Sequence, residues 1–187
     1  MPATRAFAAG LLAFAGITLA GALAWGAWSE YRVFTLRRAA QADLGVARLE
    51  RALERLHQAE RLAPGNARLH GEIGRVTLML ARWRADPAAA ERALAAHARA
   101  IAHNPRDATL HAEFGWALMR LQRPHDAAAA FAAALALDPS NAYYLSSLGR
   151  AHEAAGDIAS ARAAYERSLA TLPTREVRDL LRALDER

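Results

Sequence analysis

The sequence predicts an all-α protein of stacked helix hairpins behind an N-terminal transmembrane helix. Three observations carry that prediction. Alanine supplies 50 of the 187 residues while aromatics make up only 7%, a balance that favours closely packed helices because alanine has the highest helix propensity. Pro105, Pro139 and Pro173 stand 34 residues apart. Residues 6–28 contain no charged side chain. The length suits one domain with a short appendage.

Composition also narrows the function classes. There is no cysteine, which excludes disulfides, thiolate metal sites and a cysteine nucleophile. All 24 basic residues are Arg, set against 19 acids for a net charge of +5. They alternate with acids at helical spacing and never run to five or six, so no nucleic-acid footprint is expected.

The first element, about residues 6–28, is long enough as a helix to cross a hydrocarbon core of about 30 Å. Gly10, Gly16, Gly21 and Gly26 are of the kind tolerated in membrane spans, and Trp25, Trp28 and Tyr31 gather where aromatic rings meet headgroups. Two readings remain open. One is an uncleaved single-pass anchor in the bacterial cytoplasmic membrane, with residues 1–32 as the anchor region. The other is a secretory signal cleaved after Ala22-Leu23-Ala24, releasing a periplasmic binding module. The length of the apolar run and its aromatic end favour the anchor. Arg5 on one side and Arg32, Arg37 and Arg38 on the other leave the orientation open.

Beyond the anchor, the 34-residue interval recurs in Gly115 and Gly149, in Ala127 and Ala161, and in Phe131 and Tyr165. With the prolines, these markers make the chain resemble the tetratricopeptide repeat family, whose unit carries a Leu-Gly pair, a small alanine, an aromatic and a closing proline at fixed offsets. Residues 142–175 place Leu145, Leu148, Gly149, Ala161, Tyr165 and Pro173 on that pattern, with Ser168 where alanine is usual. Residues 108–141 place Phe114, Gly115, Ala127, Phe131, Ala134 and Pro139, with His111 at the first large position. Residues 67–107 form a stretched unit with Gly74, Ala93, His97, Ala100 and Pro105. Gly74 and Ala93 are 19 residues apart, where the other units have 12, so about seven residues are inserted near Arg82–Arg92, between the two helices of the unit. Residues 33–66 form a degenerate half repeat whose second helix carries Ala52, Leu56, Ala59 and Pro64, and whose first helix, near 33–44, can simply continue the membrane helix. Val177, Leu180, Leu181 and Leu184 mark a C-terminal capping helix with one apolar stripe.

The resemblance implies a right-handed superhelix whose concave groove is lined by the first helix of each hairpin. The groove positions would be Arg68, Arg75 and Met79, then Trp116, Met119 and Arg120, then Tyr143, Ser146, Arg150 and Glu153. We single out Arg75, Trp116, Arg120, Tyr143, Arg150 and Glu153 as a partner-binding strip, because Arg, Trp and Tyr carry much of the energy at interfaces. The expected partner is a protein, presenting an extended acidic or aromatic segment or a subunit of a membrane complex. The Lys/Asn carboxylate clamp of chaperone-tail-binding members is missing, since the chain has no Lys.

No catalytic residue, cofactor or metal is expected. The seven histidines show no H-E-x-x-H or other ligand spacing, and no glycine-rich phosphate loop or nucleophile elbow is present. His70, His97 and His111 fall on packing positions of the repeat. The function expected is therefore a non-catalytic, membrane-tethered scaffold for protein–protein interaction. A weaker resemblance, to the repeat-bearing tails of some O-antigen-polymerase-like proteins, rests on the order of apolar segment, aromatic exit and Leu137-Asp138-Pro139-Ser140-Asn141-Ala142. It implies an accessory place in envelope polysaccharide assembly. A non-catalytic subunit of a membrane enzyme is the remaining alternative.

Overall fold

In the computed structural model the backbone is described for residues 2–45 and 48–186, and the side chains from residue 16 onward within those limits. The described residues form nine helices and no strand. They divide into two compact units, residues 1–64 and 65–187.

The first unit is a single hairpin. Helix α1 runs unbroken over Pro2–Gly45, and α2 covers Leu49–Leu62. The degenerate first helix of the half repeat is thus the far end of the same helix that begins with the apolar segment. Val33 and Ala40 on α1 and Ala52, Leu56 and Ala59 on α2 are buried. Small alanines let the two helices approach closely. The buried Asp43 carboxylate pairs with Arg55 at 2.6 Å, and the same guanidinium donates to the Ala39 carbonyl at 2.8 Å. Before the hairpin contact begins, α1 leaves Ile17, Leu19, Leu23 and Trp25 exposed. Ten residues of the expected span, 6–15, have side chains outside the described set. Among the described residues no helix is long and apolar enough to cross a membrane.

The second unit contains three hairpins and a cap: α3 (Ala67–Arg84) with α4 (Pro87–His103), α5 (Ala108–Arg120) with α6 (Pro124–Leu137), α7 (Ala142–Ala154) with α8 (Ile158–Thr171), then α9 (Arg175–Asp185). Short polar side chains start most of these helices by accepting hydrogen bonds from otherwise orphaned amides. Asn66 accepts from Leu69 N–H, Asp86 from Ala89, Asp107 from Thr109, Asn141 from Tyr143 and Tyr144, Asp157 from Ser160 and Thr174 from Val177. Pro87 and Pro124 occupy the first helical turn, where the missing amide costs nothing.

The stretched unit differs from its expected form. The extra residues lie within the two helices and not in a loop between them. Helix α3 has 18 residues where α5 and α7 have 13, and α4 has 17 where α6 and α8 have 14. The connection shrinks to Ala85-Asp86. Leu-Met-Leu-Ala and Ala-Ala-Glu-Arg-Ala-Leu are strong helix formers with apolar residues at helical spacing, so the chain continues both helices instead of looping. Leu80, Ala81, Ala89 and Ala90 are buried in this extension, and Leu121 packs on it.

One contact recurs in all three hairpins: a glycine of the first helix against a ring of the second. Gly74 faces His97, Gly115 faces Phe131 and Gly149 faces Tyr165. All three rings are essentially buried. Ser168, in place of the usual alanine, is satisfied by donating to the Ala142 carbonyl at 2.9 Å. Helix α9 closes the stack by burying Val177 and Leu184 over Tyr165 and Ala161.

Candidate functional site: the trough between α3 and α5

Helices α3 and α5 are the first members of successive hairpins and pack side by side, so their outward faces share one trough. Gly74 and Gly115 set its depth, because each first helix can sink onto its partner ring only where no Cβ intervenes. Residues one and five positions beyond these glycines then project from the same face: Arg75 and Met79 on α3, Trp116 and Arg120 on α5.

Arg75, Trp116 and Arg120 line one cavity of about 110 Å³, together with Leu78, His97 and Ala117. Trp116 meets Phe131 edge-on with ring centres 5.5 Å apart. Its other neighbour is the exposed Tyr143 of α7, at 6.4 Å. A rigid, half-buried tryptophan between a core ring and a surface ring is well placed to present a flat apolar wall. Its Nε1 is buried without a hydrogen-bond partner among the described residues, and so is Nδ1 of His97. Burial, reinforced by the positive Arg75, lowers the His97 pKa to about 4, so the imidazole is neutral at physiological pH.

A second cavity of about 170 Å³ adjoins the first and shares Arg75 and Glu113 with it. Its further lining includes Arg68, Glu72, Asp107 and Thr109. Burial raises the Glu113 pKa above the ordinary glutamate value, against the opposing pull of Arg75.

Four of the six residues singled out in the sequence are therefore grouped: Arg75, Trp116 and Arg120 in one cavity, with Tyr143 beside Trp116. The other two have partners inside the fold. Arg150 pairs with Glu176 of the capping helix, and Glu153 accepts a hydrogen bond from the Tyr165 hydroxyl at 2.9 Å. Sequence reasoning missed Glu72, Asp107, Glu113 and His97 as trough residues. A mid-helix glutamate reads as a solvated residue until the facing helix is known, and His97 sits at the position that holds the core ring in the other hairpins. Its polarity there was the available signal. Among the described residues, no three His, Asp or Glu side chains are placed to hold a metal ion.

Stacked hairpins with glycine–ring contacts and an open trough define a helical-repeat scaffold suited to protein–protein interaction. The tetratricopeptide repeat family profile matches residues 112–176, which identifies that stretch as tetratricopeptide-repeat sequence. No curated protein matches the chain. Solved structures agree on the fold. A tetratricopeptide repeat protein of Thermus thermophilus superposes with a TM-score of 0.68 at 23% identity, covering 80% of this chain and 79% of that one. PilF of Pseudomonas aeruginosa gives 0.70 at 19% identity, over 83% of this chain and 68% of that one. The first repeat domain of Spaghetti (RPAP3), bound to the HSP90 peptide SRMEEVD, gives 0.57 at 22% identity, over 65% of this chain and 91% of that one.

Proposed function

We propose that the protein is a non-catalytic scaffold that holds an extended segment of a partner protein in the α3–α5 trough while α1 tethers it to a membrane. The observation that carries the binding role is the convergence of Arg75, Trp116 and Arg120 on one cavity, the residue types that dominate interface energetics. A similar fold in the RPAP3 domain carries a bound peptide, which supports the same use here. The tether is supported by the uncharged run of residues 6–28 and by the exposed Ile17, Leu19 and Leu23 of α1. Confining scaffold and partner to one membrane raises their effective concentration, so modest affinity suffices.

Crosslinking in native membranes tests the binding role. The partner recovered with the wild-type chain should fall about tenfold or more in a Trp116→Ala/Arg120→Glu variant that keeps its helical circular dichroism; undiminished recovery refutes the trough. Alkaline extraction of the same membranes tests the tether, which fails if the intact chain is released. An accessory place in envelope polysaccharide assembly rests on the segment order alone, and it stands only if the crosslinked partner belongs to such an assembly.

A further inference from the structure

Helix α1 carries two surfaces in one unbroken element. From residue 16 to residue 32 none of its side chains is buried, and Trp25, Trp28, Tyr31 and Phe34 are all exposed. Val33 and Ala40 are buried. Trp25 and Trp28 lie with ring centres 4.9 Å apart, at the end of the uncharged run of residues 6–28, and the first charges after it are Glu30 and Arg32. Apolar, then aromatic, then charged is the order in which a bilayer changes from core to surface. Trp25 to Tyr31 covers about 9 Å of helix axis, close to the depth of one headgroup layer, about 5–8 Å. Tyr31 then stands at the outer side of that layer.

Helix α2 retraces the rest of α1. Arg48 N–H donates to the Asp43 carbonyl at 2.9 Å, closing the turn. Arg55 reaches both the Asp43 carboxylate and the Ala39 carbonyl, which sets an antiparallel register. The second helix has 14 residues, and Gly45 stands 14 positions beyond Tyr31. At about 1.5 Å per residue each leg is about 20 Å long, so the end of α2 comes back level with residues 31–34. The buried positions agree: Val33 is the first among the described side chains of α1, and Ala59 the last of α2. This base of the hairpin exposes Arg32 and Phe34 from one helix and Arg61 from the other. Its acids are Glu30 and Glu60, the latter held by His57 at 3.0 Å. The net charge of the base is thus close to zero. It fits individual phosphate groups, which a guanidinium binds through two parallel hydrogen bonds, and not a purely anionic field.

We propose that the base of the α1–α2 hairpin rests on the phospholipid headgroup layer, with Tyr31 and Phe34 among the headgroups and Arg32 and Arg61 on lipid phosphates. The chain then leaves the first unit at the lipid surface and not about 20 Å above it. A shorter reach to partners resident in the same membrane raises their effective concentration. This inference rests on the membrane tether proposed above and adds what the tether alone leaves open, the height at which residue 64 is delivered.

The chain has no cysteine, so single labels can be placed by substitution. Ile17→Cys, Gly45→Cys and Ala63→Cys, each in the full chain reconstituted into phosphatidylcholine vesicles, carry a fluorophore read against nitroxide quenchers on the lipid acyl chain or headgroup. The acyl-chain nitroxide should quench the label at 17 and the headgroup nitroxide the label at 63. Neither should reach the label at 45, about 20 Å higher. Arg55→Ala, which takes the guanidinium from buried Asp43 and so releases α2, should abolish quenching at 63 and leave it unchanged at 17. Quenching at 17 with none at 63, at 63 and 45 alike, or at 63 regardless of Arg55, overturns the resting hairpin while the tether stands. No quenching at 17 overturns both.

Discussion

Gly149 and Tyr165 touch so closely that a Cβ on the glycine would stand 2.5 Å from the ring carbons Cδ1 and Cε1. Real Cβ contacts do not reach that distance, so any larger residue must push α7 away from α8. The ring has little freedom to yield, because it is fully buried and its hydroxyl is bound to Glu153. Gly149→Ala should therefore lower stability by about 1–3 kcal/mol, even though alanine is the better helix former by about 1 kcal/mol. Thermal unfolding followed by circular dichroism measures it, and an unchanged or raised midpoint would show that the hairpin is looser than its contacts indicate.

His97 is the weak member of the same series, an imidazole where Phe131 and Tyr165 stand in the other hairpins. Its pKa falls from 6.5 to about 4 on folding, chiefly through burial and secondarily through Arg75. The unfolded chain thus binds more protons between those values. Stability is fully present above pH 6.5 and declines as the pH drops toward 4, by about 3 kcal/mol in all. His97→Phe should abolish this decline and, at neutral pH, add about 1–2 kcal/mol by removing the unpartnered Nδ1. Urea midpoints of both proteins from pH 7.5 to 4.5 provide the comparison. Curves that run parallel throughout would mean that His97 does not titrate as its surroundings dictate.

The positions of glycine and ring were legible in the sequence because both belong to a strict spacing: Gly115 and Gly149, like Phe131 and Tyr165, are 34 residues apart; their contact emerges only in the fold. The surroundings of Arg150 and Glu153 were not. Arg150 is taken by Glu176, 26 residues along the chain, and Glu153 by Tyr165, 12 residues along. Such pairs depend on how a later helix docks, which periodicity does not encode. Glu113 was hidden for a related reason: only the neighbouring α3 makes it part of a trough. The inserted residues of the stretched repeat, 67–107, were countable from the Gly74–Ala93 interval, but their share in each helix was set by where Asp86 could cap a new one.

Helix α9 is fastened at two levels that should separate experimentally. Arg150 pairs with Glu176 and Arg162 with Asp185, all partly exposed, whereas Val177 and Leu184 are buried. Exposed ion pairs contribute at most about 1 kcal/mol, while emptying a buried leucine site costs about 2–5 kcal/mol. Glu176→Ala should thus leave the unfolding midpoint nearly unchanged, and Leu184→Ala should release α9, with loss of amide exchange protection over 175–185. Equal effects from the two changes would show that charge, not burial, holds the cap.

The turns inside the three hairpins share one geometry but not one residue. Asp86 N–H donates to the Ala81 carbonyl at 2.9 Å, Arg123 to Leu118 at 3.0 Å and Asp157 to His152 at 2.9 Å. Each closure places the preceding residue in the left-handed region: Ala85 at φ 52°, Gln122 at φ 58° and Gly156 at φ 82°. Only glycine adopts that conformation without a clash between Cβ and the backbone, a penalty of about 1–2 kcal/mol for other residues. Gln122 stands one repeat before Gly156, in the same structural role. Allowing for the greater freedom of glycine in the unfolded chain, Gln122→Gly and Ala85→Gly should each stabilise by about 0.5–1 kcal/mol. For a chain of this size that is a rise of about 1–4 °C in Tm. Gly156→Ala should produce a fall of comparable size. A lower Tm for Gln122→Gly would mean that the long side chain makes contacts that outweigh the backbone strain.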